Sequence, residues 1–170
     1  MRLQQIITEL KQELDDTVGV FREGNSLALY KLDGLEGALD DFDMDAIEER
    51  LLGAMNWNEV DGASEVGSVW AQQGWGPALY ECVMSITPLK PHPHQVTPAA
   101  RRVWDKMRHR DDVIQDEHGA YQLTSPLNLK HHENLLARTV GSDPYGEKIS
   151  LLHETAESVL LNAMRDIYSG

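Results

Sequence analysis

Hydrophobic and polar positions alternate along this chain with periods that predict both helices and strands. Apolar residues recur at three- and four-residue steps near the start, which predicts an amphipathic helix over residues 2–15. Two β-prone runs follow, Val18 to Arg22 and Ser26 to Leu32. The turn Glu23-Gly24-Asn25 between them contains residues that tolerate positive φ, so the two runs are predicted to form a hairpin.

The middle of the chain is predicted to contain a helix, a loop and a strand. Asp43 or Asp45 can cap a helix that runs to about Met55, because short acidic side chains accept hydrogen bonds from the free N–H groups at a helix start. Residues 56–65 are polar and predict a loop. The run from Val66 to Trp70 predicts a short strand.

Prolines mark the next boundaries. Pro77 suits the first position of a helix that continues through Met84. The run from Thr87 to Pro98 carries four of the seven prolines, which favours an extended loop or an irregular strand. Thr97 can then cap a helix that has Pro98 at its first position and continues to about Arg110.

The last third of the chain is predicted to begin with strands and to end with a helix. Val113 to Ile114 and Ala120 to Thr124 are short strand candidates, and apolar periodicity predicts a final helix from about Ile149 to Tyr168. Strands interspersed with helices indicate an α/β (α+β) fold. We expect one domain over residues 1–170, because this length and a hydrophobic content of 41% suffice for a single core.

Charge divides the domain unevenly. The net charge is −13, and residues 1–65 carry sixteen acidic against five basic residues, a net of −11. Such a balance repels phosphate backbones, so no direct binding of nucleic acid is expected. The acidic run from Asp33 to Glu49 is either a solvated surface, a docking surface for a basic partner, or a mimic of nucleic acid.

The sequence gives no sign of a membrane segment. Its apolar stretches fall short of the roughly 20 residues that span a bilayer, and its first residues are too polar for a secretory signal or an anchor. The one cysteine, Cys82, cannot form an internal disulfide, so the cytoplasm is the expected location. No histidine lies close to Cys82 in the sequence, and we expect the thiol to be packed in the core.

The segment Gln73-Gly74-Trp75-Gly76-Pro77-Ala78 follows a predicted strand and begins a predicted helix. Free N–H groups and the helix dipole converge on an anion at such a place, and glycines let the backbone approach a phosphate closely. A Gly-x-Gly sequence before a helix also occurs as a plain tight turn.

This segment resembles the acyl-CoA loop of the GNAT acyltransferase superfamily, written Gln/Arg-x-x-Gly-x-Gly/Ala. The three specified places are occupied by Gln73, Gly76 and Ala78. A second motif of that superfamily, Asn-x-x-Ala-x-x-aliphatic-Tyr-x-Lys, is matched in its spacing by Thr97, Ala100, Val103, Trp104 and Lys106. The longer string over residues 66–114 is similar to small acetyltransferase-like proteins of tailed phages. Residues 1–65 form an acidic part before it, and residues 115–170 a C-terminal extension.

The resemblance implies a mixed, mostly antiparallel sheet flanked by helices, with an additional C-terminal helix. It implies that the backbone of Gln73, Gly74, Trp75, Gly76 and Ala78 cradles the pyrophosphate of acetyl-CoA. The thioester would lie between two splayed strands near Val69 and Trp70, and an amine on an unknown acceptor would attack it directly.

Two residues depart from the family pattern. Pro77 lacks an N–H group, and Trp104 stands where the family usually has the tyrosine that protonates the thiolate. Tyr80 is the alternative acid, and Glu65, with Glu59 and Asp61, is a candidate base. The alternative function is a catalytically inactive interaction protein, a virion component or an inhibitor, that presents the acidic region to a host or virion protein.

Two further clusters have the residue types of binding sites. His92 and His94, and the sequence His131-His132-Glu133, contain metal-binding residue types, but their spacing is typical of no metal site, so none is expected. One basic cluster lies on the predicted helix after Pro98, where it could meet the 3′-phosphate of the coenzyme or pair with acidic residues; it comprises Arg101, Arg102, Lys106, Arg108 and Arg110.

Overall fold

The computed structural model describes residues 13–94 and 96–169, which form one seven-stranded open sheet with six helices. The strand order is β1-β2-β3-β4-β5-β7-β6, and every neighbouring pair is antiparallel except β4 and β5. The strands are β1 Val18–Glu23, β2 Ser26–Lys31, β3 Leu51–Val60, β4 Ala63–Ala71, β5 Leu89–Lys90, β6 Val113–Gln115 and β7 Tyr121–Leu123. The helices are α1 Leu35–Asp40, α2 Met44–Glu49, α3 Gly76–Met84, α4 Pro98–Arg108, α5 Leu129–Val140 and α6 Glu147–Ser169. The expected α+β class and mostly antiparallel sheet are confirmed.

Most predicted elements lie where the sequence places them. The β1–β2 hairpin has Glu23 opposite Ser26, and Gly24 in its turn adopts a φ of 54°. The Thr97 side chain accepts a hydrogen bond from the backbone N–H of Ala100 and caps α4. The short strands β6 and β7 and the long helix α6 are also confirmed. The predicted helix over residues 2–15 lies outside the described residues except for 13–15, which are not helical.

The predicted helix from Asp43 to Met55 is wrong in its second half. Asp43 does cap α2, but this helix ends at Glu49 and the chain enters β3 at Leu51. The residues Leu51 to Met55 are all buried, and a short, continuously apolar run does not distinguish a buried strand from a helix.

The predicted loop over residues 56–65 is also wrong. These residues form the outer half of the β3–β4 hairpin, whose two-residue turn is Asp61-Gly62, with φ angles of 50° and 84°. Positive φ at both positions is the geometry of a type I′ turn, for which Asp-Gly is a strong signal. The polar residues at the end of a solvated hairpin have the composition of a loop, and only the Asp-Gly turn indicates the hairpin. Helices α1 and α5 were not expected from the sequence either.

Helices cover both faces of the sheet. On the first face, α3 and α4 pack on the sheet around Leu79, Val83 and Trp104. On the second face, α1, α2 and α6 pack around Leu39, Ile47 and Leu152, joined by α5. Helix α5 lies against β1, where the His132 ring bonds the carbonyl oxygen of Val18 at 3.0 Å. In the part of the chain that the structure describes, no helix is long and apolar enough to cross a bilayer.

Candidate functional site

The residue that precedes the glycine turn between β4 and α3 is hydrogen-bonded to the sheet. The backbone N–H of Gln72 donates to the carbonyl oxygen of Leu52 at 2.9 Å, and its side-chain amide donates to that of Leu51 at 2.9 Å. The Trp75 N–H then donates back to Gln72, and Gly74 has a φ of 90° that favours glycine. The turn therefore brings the start of α3 to the end of β4.

The first turn of α3 offers backbone donors. Trp75 is the N-cap residue and makes no side-chain cap, so the N–H groups of Gly76 and Ala78 are first-turn donors without an intrahelical acceptor. Pro77 between them contributes no donor. Of the five predicted cofactor-binding residues, Gln73 is exposed, Gly74, Trp75 and Gly76 are half-buried, and Ala78 is buried.

Gly76 also allows α4 to approach α3 closely. A Cβ atom at Gly76 would lie 3.2 Å from Cγ2 of Val103, a tight contact. On α4, Arg102 directly precedes Val103, and Lys106 lies one helical turn after Val103. The side chains of Arg102 and Lys106 are exposed. Two exposed cationic side chains thus lie within one helical turn of the Val103 contact.

The sheet splits immediately before this turn. Strands β4 and β5 pair in parallel only at Ser64 with Leu89 and at Glu65 with Lys90. Beyond that point β5 ends, and β4 continues to Ala71 with a partner strand on its β3 side alone. The result is a gap in the sheet beside the second half of β4, here called the β4 cleft.

The β4 cleft encloses a cavity of about 20 Å³, roughly the space of one water molecule. Its walls come from β4, α3, the segment after β5, α4 and the C-terminal part of α6. The lining residues are Val66, Gly67, Ser68, Val69, Tyr80, His92, Val96, Thr97, Ala100, Trp104, Ala163 and Met164. None of these described lining residues is a carboxylate.

Tyr80 and Trp104 meet at the floor of the cleft. Their rings are in edge contact with centroids 5.0 Å apart, and Trp104 also lies 5.4 Å from the ring of Tyr121. Burial raises the pKa of the Tyr80 phenol well above its usual value, so the hydroxyl keeps its proton at neutral pH. Trp104, which takes the place of the tyrosine in the motif that the sequence resembles, is 2% exposed and serves as a core residue of α4.

His92 also lines the cleft, a position that sequence reasoning missed. Its Nδ1 atom accepts a hydrogen bond from the backbone N–H of His94 at 3.1 Å, so the neutral ring carries its proton on Nε2. The only signal for this position was its closeness to the end of β5.

Glu65, the predicted candidate base, lies at the other end of β4. It is six residues before Ala71, roughly 20 Å along an extended strand. Its carboxylate faces the Lys90 ammonium at 4.0 Å across the parallel pair. Glu65 therefore lies far along β4 from the glycine turn, next to Val66, which lines the β4 cleft.

The remaining candidate residues are dispersed. Arg110 of the basic cluster bonds Glu81 on α3 at 2.7 Å and forms a bidentate pair with Asp112. The described residues contain no group of three or more metal-binding side chains. Cys82 is fully buried, and burial raises the pKa of its thiol to about 12, which confirms a packing role.

The acidic run lies on α1, α2 and the turn between them. Its carboxylates are exposed, and two apolar side chains stand among them, Phe42 at 50% and Met44 at 38% exposure. Phe42 has a φ of 50°, in the left-handed region that bulky residues avoid.

Searches against protein-family models, curated proteins and solved structures found no match to this chain. The geometry of the site is therefore the basis for any functional proposal.

Proposed function

We propose that this protein is a GNAT-like acyltransferase that moves an acetyl group from acetyl-CoA to an amine of an unknown acceptor. The observation that carries the proposal is the β4 cleft, which opens beside β4 where its parallel pairing with β5 ends and is followed by a glycine turn and a helix start. Splayed strands followed by such a turn are the arrangement that the sequence resemblance implies for acyl-CoA binding.

The two ends of this site would bind different parts of the coenzyme. The N–H groups of Gly76 and Ala78 would bind the pyrophosphate, assisted by the α3 dipole and by Lys106. The pantetheine arm would run into the β4 cleft, with its thioester near Val69 and Tyr80.

The reaction needs a direct displacement. The acceptor amine attacks the thioester carbonyl carbon, the carbon–sulfur bond breaks, the nitrogen releases one proton to water, and the departing thiolate takes one. Tyr80 is the phenol that lines the cleft and is the proposed proton donor. Its raised pKa makes it a weaker acid, so Tyr80 can stabilise the thiolate by a hydrogen bond more readily than by full proton transfer.

Calorimetric titration with acetyl-CoA and with coenzyme A tests the binding. The parent protein should bind both, and Lys106→Gln should weaken binding about 5- to 10-fold, because it removes a charge beside the phosphate site. Arg108→Gln is the matched control, since Arg108 lies on the same helix and pairs with Asp105 at 3.7 Å. Heat from neither ligand with the folded parent overturns the proposal.

Release of free coenzyme thiol in the presence of a panel of amines tests the chemistry. Tyr80→Phe should lower the release rate while leaving the coenzyme affinity unchanged. Binding without thiol release for any amine would support a protein that binds the coenzyme without transferring the acyl group.

A second function is favoured by the exposed Phe42 and Met44 among carboxylates. We propose as the alternative an inactive GNAT-like interaction protein that presents this surface to a basic host or virion protein. Capture experiments from bacterial lysate at low and high salt, with the parent and with Phe42→Ser, test it. A partner that is held by the parent and lost with Phe42→Ser supports this function, and equal capture by both proteins contradicts it.

A further inference from the structure

The C-terminal part of α6 closes the β4 cleft from the second face of the sheet. Helix α6 crosses β3 and β4, and its residues Ala163 and Met164 line the cavity opposite Tyr80 and Trp104. With these side chains in place, the cavity of about 20 Å³ is far too small for a pantetheine arm. A ligand can enter only if one wall moves.

The two halves of α6 are held differently. The first half is fastened to the core by Leu152, Ala156 and Leu160, and the Tyr30 hydroxyl donates to the Leu152 carbonyl oxygen at 2.6 Å. Burial decreases after Leu160, because none of residues 161–165 is fully buried and Leu161 is 53% exposed. Ala163 and Met164 are only half-buried, and the cleft is their packing surface.

The walls that β4, α3 and α4 contribute are less free to move. Tyr80 and Trp104 are 2% exposed and pack against each other, and Ser68 is held by two hydrogen bonds to Oδ1 of Asn56, at 2.7 Å from its N–H and 2.9 Å from its hydroxyl. Displacing any of them would disrupt the core or the sheet. Ala163 and Met164 have apolar side chains, so moving them out of the cleft breaks no side-chain hydrogen bond.

We propose that residues 161–165, here called the α6 plug, are a displaceable closure that competes with the ligand for the β4 cleft. Methionine suits this role, because its flexible side chain fills an irregular gap without a fixed geometry. The regulation rests on the proposed function, since acyl-CoA is the ligand that would displace the α6 plug. The apparent affinity is then lowered by the fraction of molecules that are closed.

Thiol labelling reports on the closure without any ligand. Ser68→Cys places a thiol in the cleft, while the native Cys82 is fully buried and supplies the background rate. Labelling of Ser68→Cys should be at least 10-fold faster in a chain that ends at Leu160 than in the full chain. Equal rates in the two folded chains overturn the proposal.

A point variant covers the case in which the shortened chain fails to fold. Met164→Ser should speed labelling of Ser68→Cys in the full chain, whereas Leu161→Ser, an exposed position on the same helix, should not. Similar rates for both variants overturn the proposal.

Coenzyme A titration separates the closure from the proposed function. The chain that ends at Leu160 should bind coenzyme A about 10-fold more tightly than the full chain. Fast labelling without coenzyme binding supports the α6 plug and counts against acyl-CoA as the ligand. Coenzyme binding with equal labelling rates contradicts the α6 plug alone.

Discussion

Gly76 combines a packing role with a possible phosphate contact, and the two can be separated at this one residue. Gly76→Val should lower the free energy of unfolding by about 1–3 kcal/mol, because a side chain there meets Val103. Val103→Ala should restore most of that loss by making room. Urea unfolding of the two single variants and the double variant measures both effects.

Coenzyme A titration of the folded Gly76→Val, Val103→Ala double variant then decides the role of the turn. If the backbone at Gly76 contacts pyrophosphate, the branched side chain should still abolish binding. Binding equal to that of the parent would show that Gly76 serves helix packing alone.

Phe42 occupies a position that normally favours glycine. Its N–H donates to Leu39 and the N–H of Asp43 donates to Ala38, so the end of α1 has the hydrogen bonds of a Schellman motif with Phe42 in the left-handed position. Phe42→Gly should be about 1 kcal/mol more stable than Phe42→Ala, because both lose the ring and only alanine keeps the strain. Urea unfolding of these two variants measures the difference, and equal stability would contradict the strain.

At the scale of elements, Arg110 joins three segments. Its guanidinium bonds Asp112 before β6 and Glu81 on α3, and it lies just after α4. The hydrogen bonds to Asp112, with those to Glu81, hold the pKa of Arg110 above its usual value. The side chain is 28% exposed, so solvent weakens these pairs.

Arg110→Gln should therefore cost about 1–2 kcal/mol of stability, and Arg110→Lys should recover only a small part, because an ammonium cannot form the bidentate pair. Thermal or urea unfolding of both variants gives the values. Full recovery with lysine would show that charge alone, and not the planar geometry, joins these segments.

At the scale of the whole molecule, one buried thiol and two buried phenols predict a loss of stability at alkaline pH. Burial raises the pKa of Cys82 to about 12 from its ordinary 9.0, and raises the pKa values of Tyr30 and Tyr80 above their ordinary 10.0. The unfolded chain loses these protons at a lower pH than the folded chain. The stability that the three protonated groups contribute is therefore complete below pH 9 and is lost as the pH rises toward their folded-state pKa values.

Cys82 can be examined in the window from pH 9 to pH 10, where the unfolded tyrosines still hold at least half of their protons. Cys82→Ala should be less stable than the parent at pH 8, because it leaves a small cavity. The gap should narrow by about 1 kcal/mol between pH 9 and pH 10. A gap that stays constant in urea unfolding would show that the thiol is not shielded from ionisation.

The sequence by itself determined the features that depend on local chemistry. The β1–β2 hairpin follows from its glycine turn, the Thr97 cap and Pro98 start α4, and the periodicity of α6 predicts its buried side. The glycine turn before α3 was also placed correctly, because strand, turn and helix start are contiguous in the chain. Each of these depends on residues within a few positions of one another.

Only the tertiary structure decided what depends on residues far apart. Residues Leu51 to Met55 form a strand because β2 and β4 pair with it along its two edges. The local pattern of apolar residues contains no information about these distant neighbours. The β4 cleft arises because β5 stops after two residues, and its closure by Met164 joins positions almost a hundred residues from β4. Packing also brought His92 into the cleft beside Tyr80, since distance in a fold is set by the core and not by the order of the chain.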